Sequence, residues 1–88
     1  MKLNGRFVVR QIAGDTVIVP VGETALRCSG MITVNKTGAV LWQALESESD
    51  EETLIRLLTD RFEVDHGTAA ADVKVFLAQM RKQGFLCE

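Results

Sequence analysis

Residues 32 to 45 read Ile-Thr-Val-Asn-Lys-Thr-Gly-Ala-Val-Leu-Trp-Gln-Ala-Leu, a β-branched run that passes directly into an amphipathic helix. The β-branched residues favour a short strand. Asn35 is suited to be an N-cap, because its side-chain oxygen can accept a hydrogen bond from an unpaired N–H of the first helical turn. Leu41, Trp42 and Leu45 then recur at helical spacing. A strand that ends at a helix start leaves its backbone edge beside helical side chains, and such an edge can accept a peptide.

The composition is that of one globular domain covering residues 1–88. The chain is 47% hydrophobic and 25% charged, and a chain this short has a modest core. No apolar run approaches the roughly 20 residues that span a bilayer, and Asn4, Gly5 and Arg6 interrupt any signal segment. We therefore expect a cytoplasmic protein without membrane contact. The net charge of −2 argues against nucleic-acid binding, which usually needs a basic surface.

Residues that could support metal binding or catalysis are few and scattered. Cys28 and Cys87 are far apart and form no CxxC pair, which in a cytosolic chain favours two free thiols. His66 lies in a predicted turn, where a solvated side chain is expected, and it has no recognisable partner for acid–base chemistry. We therefore expect a non-catalytic chain with no cofactor and no metal site.

The first third of the chain is predicted to be β-sheet. Two β-branched runs, 6–12 and 16–19, are separated by Ala13-Gly14-Asp15, which predicts a hairpin with a three-residue connector. Pro20 has no N–H for a ladder and should end the second strand. A loop is expected over 21–30, followed by a third strand over 31–34.

Three helices are predicted to follow the sheet. The first covers 36–45 and contains Gly38, which either permits close packing against the strand or is simply tolerated. The second follows an acidic connector and runs to about residue 62. Ser49 and Glu52 have the spacing of a capping box at its start.

The last helix is predicted to run to about residue 83 and to end at Gly84. Either Asp65 or Thr68 can cap its start. Its core stripe is Val73, Phe76, Leu77 and Met80. A second stripe lies to one side and consists of Ala71, Val75, Ala78 and Lys82. This second stripe either packs against the other helices, which the periodicity favours, or forms a groove wall beside the third strand.

Several segments resemble the PqqD family in order and spacing over nearly the whole chain. They are Val34-Asn35-Lys36-Thr37-Gly38-Ala39-Val40-Leu41-Trp42, Val64-Asp65, Asp72-Val73 with Phe76-Leu77, and Gly84-Phe85-Leu86. The resemblance implies an α+β, winged-helix-like fold in which a three-stranded antiparallel sheet is followed by three helices.

The same resemblance implies a RiPP recognition element, a peptide chaperone without catalysis. Such domains bind the leader of a ribosomally made precursor peptide by strand addition and present it to a modifying enzyme, often a radical SAM maturase. Relatives serve pyrroloquinoline quinone biosynthesis or other peptide pathways. Carried over residue by residue, the strand edge would be Met31, Ile32, Thr33 and Val34, and the helical wall would be Val75, Phe76, Gln79 and Lys82.

Two other functions are consistent with the sequence. A winged-helix DNA-binding regulator would have a similar shape, but the last helix offers only Lys74, Arg81 and Lys82 against Asp72 for phosphate contacts. A dimerisation module that forms a homodimer by exchanging strands is the third interpretation.

Overall fold

The structure is a computed structural model and describes residues 1–28 and 30–87. Its elements in chain order are β1 (Lys2–Leu3), β2 (Phe7–Ile12), β3 (Asp15–Pro20), α1 (Glu23–Arg27), β4 (Ile32–Val34), α2 (Lys36–Ala44), α3 (Glu51–Arg61), α4 (His66–Gln83) and β5 (Leu86–Cys87). The main sheet is antiparallel with the strand order β2-β3-β4. The predicted α+β, winged-helix-like fold is confirmed.

The β2–β3 hairpin turns through two residues, not the three that were predicted. Ile12 pairs with Asp15, so only Ala13 and Gly14 lie in the turn, with φ angles of 51° and 86°. Positive φ at both central residues is typical of a type I′ turn, whose twist matches that of the paired strands. Because two residues are enough for this turn, Asp15 pairs with Ile12 and begins β3 instead of belonging to the connector.

The segment 21–30, predicted to be a loop, contains the short helix α1. Its Thr24 hydroxyl accepts a hydrogen bond from the Arg6 amide at 2.8 Å, and its Arg27 guanidinium donates to the Asn4 carbonyl at 3.0 Å. The chain ends were also not predicted to pair, yet β1 and β5 form a separate two-stranded antiparallel sheet. The elements β1, α1 and β5 have two to five residues each and leave no measurable period in the sequence, so contacts with distant residues decide whether they form.

Side-chain caps fix where the three longer helices begin. The Asn35 Oδ1 atom accepts from the Gly38 amide at 2.9 Å, as predicted for the start of α2. The Asp65 Oδ1 atom accepts from the Thr68 amide at 2.7 Å, which decides between the two candidate caps of α4 in favour of Asp65. At the other end of α4, Gly84 adopts the left-handed conformation with φ 80°, so the predicted stop is confirmed.

The capping box predicted for α3 is wrong. Asp50 is the N-cap, and its Oδ1 atom accepts from the Thr53 amide at 2.8 Å. The Ser49 amide instead donates to the Met1 carbonyl at 2.9 Å. Contact with the N-terminal segment therefore engages Ser49, and the helix begins one residue later.

The core lies between one face of the main sheet and the helices. The predicted core stripe of α4 is buried throughout, as are Ile18 and Ile32 of the sheet. Phe85 is fully buried after the turn at Gly84, and its ring centroid lies 4.8 Å from that of Phe7. The Trp42 ring packs edge-on against Phe7 at 5.0 Å, so its predicted place in the core is confirmed. This aromatic cluster joins α2 to β2 and to the segment that follows α4.

Candidate functional site

The strand β4 is an edge strand of the main sheet. It pairs with β3, and on its other side no strand of the described residues pairs with it. In an antiparallel sheet, successive residues of a strand direct their N–H and C=O groups to opposite edges. The register of the sheet therefore determines which residues of β4 present backbone groups to the open edge.

Pro20 shows which residues of β3 direct their backbone groups toward β2 and which direct them toward β4. Proline has no N–H, so the pair that Pro20 forms with Phe7 belongs to the non-hydrogen-bonded class. The next residue, Val21, donates its amide to the Arg6 carbonyl at 3.0 Å, toward β2. Odd-numbered residues of β3 therefore direct their backbone groups toward β2, and even-numbered residues direct theirs toward β4.

Thr33 presents its backbone to the open edge. It lies opposite Val17, whose backbone groups are directed toward β2, so the amide and carbonyl of Thr33 are directed away from β3. Ile32 and Val34 lie opposite even-numbered residues and use their backbone groups to pair with β3. Within the described part of the chain, no other group hydrogen-bonds to the outward amide or carbonyl of Thr33.

A groove lies beside this edge, between β4, the start of α2 and one face of α4. Its volume is about 270 Å³, slightly below the range typical of sites for small molecules. It is lined by Thr33, Val34, Asn35, Thr37, Gly38, Leu41, Asp72, Val75, Phe76 and Gln79. The four residues from α4 are spaced i, i+3, i+4 and i+7, so they form a single helical face. Edge and groove together suit an extended chain whose alternate side chains enter the groove.

Gly38 brings α2 close to β4. A Cβ atom at this position would lie 2.9 Å from Val34 Cβ and 3.3 Å from Asn35 Oδ1. A methyl group therefore has no room there, and close packing against the strand is the reason for this glycine. The resulting approach puts the first turn of α2 into the groove lining.

The second stripe of α4 is accessible to a partner. Ala71, Val75, Ala78 and Lys82 are all exposed, and Val75 is 70% exposed. Packing of this stripe against the other helices, the alternative that the periodicity favoured, is therefore wrong. Deeper in the groove, Phe76 and Leu41 are buried. The groove thus has an apolar base, and Val75 adds an exposed apolar side chain to its rim.

The predicted site residues are only partly brought together. Thr33, Val34, Val75, Phe76 and Gln79 line the groove. The other three do not line it: the side chain of Ile32 faces the core, Met31 is exposed just before β4, and Lys82 is exposed on α4.

Sequence reasoning missed five groove residues: Asn35, Thr37, Gly38, Leu41 and Asp72. Three of them, Asn35, Thr37 and Gly38, belong to the strand-to-helix junction at the start of α2, and Leu41 follows one turn later. A glycine within a helical turn was the available signal, because it marks a close approach of backbone to a neighbouring element. For Asp72 the available signal was its place in the Asp72-Val73 segment that resembles the PqqD family.

Two ionisable groups outside the groove, Asp50 and Asp65, cap helices, and within residues 1–28 and 30–87 none forms part of a metal-binding cluster. Hydrogen bonds from the Thr53 side chain and amide lower the pKa of Asp50, and those from the Thr68 amide and side chain lower the pKa of Asp65. The buried Cys28 thiol donates to the Gly84 carbonyl with an S···O distance of 3.5 Å, while the side chain of Cys87 lies outside the described residues. Among the described residues, no three His, Cys, Asp or Glu side chains form a group able to hold a metal ion. No helix in this part of the chain is long and apolar enough to cross a membrane.

The fold and groove define a class of small α+β domain with an open strand edge beside a helix-walled groove. The sequence model of Coenzyme PQQ synthesis protein D (PqqD) matches residues 15–86. The chain therefore belongs to the PqqD family. A comparison with curated proteins gives no match.

Two solved structures have the same fold. One is TbiB1 in complex with the TbiA(beta) leader peptide, with a TM-score of 0.75 and 20% identity over 98% of this chain and 94% of that chain. The other is lasso peptide synthetase B1 complexed with the leader peptide, with a TM-score of 0.73 and 18% identity over 99% of this chain and 96% of that chain. Coverage this high on both sides means that the whole domain is shared.

Proposed function

We propose that this protein is a peptide chaperone that binds the leader segment of a ribosomally made precursor peptide. The observation that carries the proposal is the outward amide and carbonyl of Thr33, which lie beside an apolar groove and have no partner among the described residues. Membership of the PqqD family and the leader-bound state of two proteins with this fold support it.

In the proposed complex, the leader adds to β4 as a fourth strand of the main sheet. Main-chain hydrogen bonds to the β4 edge supply affinity, and the leader side chains that enter the groove supply selectivity. Thr33 is the central backbone contact, while Val75, Phe76 and Gln79 form the helical wall. Met31 has the same strand parity as Thr33, so its backbone would extend the contact at the start of β4.

The bound leader would then hold the rest of the precursor near a modifying enzyme. A radical SAM maturase is the partner that family membership favours. In this arrangement the chain itself carries out no catalysis, and its contribution is to raise the local concentration of the substrate at the enzyme.

Calorimetry with a candidate leader tests the proposal. The leader comes from a short precursor reading frame beside the gene for this protein, and a scrambled leader of the same composition is the control. We expect saturable binding of the leader, none of the scrambled peptide, and only a shallow dependence on salt. Equal binding of both peptides would contradict the proposal. Tighter binding of duplex DNA that weakens steeply with salt would contradict it as well, and would favour the winged-helix DNA-binding regulator. Sedimentation of the free protein over a range of concentrations tests the homodimer.

A further inference from the structure

Asp72 is the one ionisable residue among the ten that line the groove. Its side chain is exposed, and within the described part of the chain it makes no ion pair or hydrogen bond. All other lining residues are apolar or neutral. A guest chain in the groove therefore meets a single negative charge among apolar and neutral polar side chains.

The spacing on α4 matches the spacing of side chains on a strand. Asp72 and Phe76 are four residues apart, which is about 6 Å along a helix axis. Residues i and i+2 of an extended chain lie on one face and are about 6.6–6.8 Å apart. Two side chains of an added strand that point into the groove can therefore reach Asp72 and the Phe76 region at the same time.

The packing of α4 also gives the order of these two side chains. Arg27 and Cys28, which come just before β4, both donate to the carbonyl of Gly84 at the end of α4. Residues 33–35, further along the chain, line the groove with Asp72, Val75, Phe76 and Gln79, which precede that end of α4. From residue 28 to residue 35 the chain therefore leads away from the C-terminal end of α4, so β4 and α4 run in opposite directions. A guest strand antiparallel to β4, the more stable pairing, runs in the same direction as α4 and meets Asp72 before Phe76.

Resting on the proposed function, we infer that the leader carries a basic residue followed two positions later by a large apolar residue. The Lys or Arg of this motif pairs with Asp72. The apolar residue packs on Phe76, Val75 and Leu41. Because the carboxylate is exposed, its pairing is worth between an exposed ion pair and a charged hydrogen bond, and we expect its loss to weaken binding about 3- to 10-fold.

A charge-swap selection tests the inference. A phage-displayed library of random linear peptides is selected on the whole protein and on Asp72→Lys. Asp60→Lys is the matched control, because it makes the same charge change at an exposed position of α3 that does not line the groove. Thermal melts confirm that each variant is folded.

We expect the unmodified protein and Asp60→Lys to enrich basic-x-apolar peptides, and Asp72→Lys to enrich acidic-x-apolar peptides. Enrichment of one motif by all three proteins would overturn the inference. A Pro at Thr33 separates this failure from failure of the proposed function. If the recovered peptides lose affinity for Thr33→Pro, strand addition stands and only the role of Asp72 is wrong. If the library yields no binder, or binders that ignore the proline, both proposals fail.

Discussion

Replacing Thr33 by proline removes the central donor of the open edge while leaving the β3–β4 ladder intact. The outward direction of the Thr33 amide means that its loss breaks no hydrogen bond among the described residues of the free protein. In the complex, the same change deletes one main-chain bond to the guest. A net contribution of about 0.5–1.5 kcal/mol per hydrogen bond predicts a roughly 2- to 13-fold rise in Kd.

The opposite edge of the same sheet provides a matched control. Val9 pairs with Ile18, two pairs along from the Phe7–Pro20 pair, so its amide also faces outward, from β2. Val9→Pro therefore introduces a proline into an edge strand of the same sheet without touching the groove beside β4. We expect both proline variants to lose similar stability in urea, and only Thr33→Pro to lose affinity for the leader.

Calorimetry of the two variants with the same leader gives the decisive comparison. Thr33→Val serves as a second control, because it keeps the amide and the β-branched shape while removing the hydroxyl, and its Kd should stay within about twofold. A folded Thr33→Pro variant with unchanged Kd would refute the assignment of the edge. Equal weakening by both prolines would show that the loss comes from the sheet as a whole.

Three further predictions concern the fold and its pH dependence. Gly38→Ala should lower the free energy of unfolding by about 1–2 kcal/mol in a urea titration, because overpacking against Val34 outweighs the gain in helix propensity. Gly67→Ala is the control and should cost nothing, because its added Cβ meets Asp65 Oδ1 at an ordinary 3.6 Å. Equal effects of the two substitutions would contradict the close packing at Gly38. Phe85→Ala should cost about 3–5 kcal/mol by the same measurement, because the ring is fully buried, and a loss below 1 kcal/mol would contradict its place in the core. Because the folded state lowers the pKa of Asp65 below 3.8, the ionised side chain stabilises the fold above pH 3.8, and this stabilisation is lost as the pH falls through the folded-state pKa. The stability of Asp65→Asn in acid melts should therefore depend less on pH than that of the unmodified protein. Identical pH profiles of the two proteins would contradict the role of Asp65 as a cap.

The parts of the fold that were predictable depend on local chemistry. Asn35 and Asp65 cap helices through atoms three residues away, and the core stripe of α4 repeats over several turns. Both signals are complete within a short window of sequence. The error at Ser49 has the opposite character, because its amide is engaged by the Met1 carbonyl, 48 residues distant in sequence.

Only the parts of the groove that belong to a single element with a clear sequence pattern were predicted. The face of α4 is visible from its spacing, and the strand before Asn35 is visible from its β-branched residues. Thr37 and Leu41 line the groove because α2 lies close to β4, and Gly38 permits this close approach. The direction of the Thr33 amide depends on pairing with β3, and no local property of residues 31–34 determines it.

Amide hydrogen exchange measured by NMR, with and without a bound leader, tests strand addition most directly. In the free protein the Thr33 amide should exchange rapidly, while the amides of Ile32 and Val34 are protected by the ladder with β3. Saturation with the leader should protect Thr33 and leave its two neighbours unchanged. A Thr33 amide that is already protected in the free protein, or that stays unprotected in the saturated complex, would contradict the account.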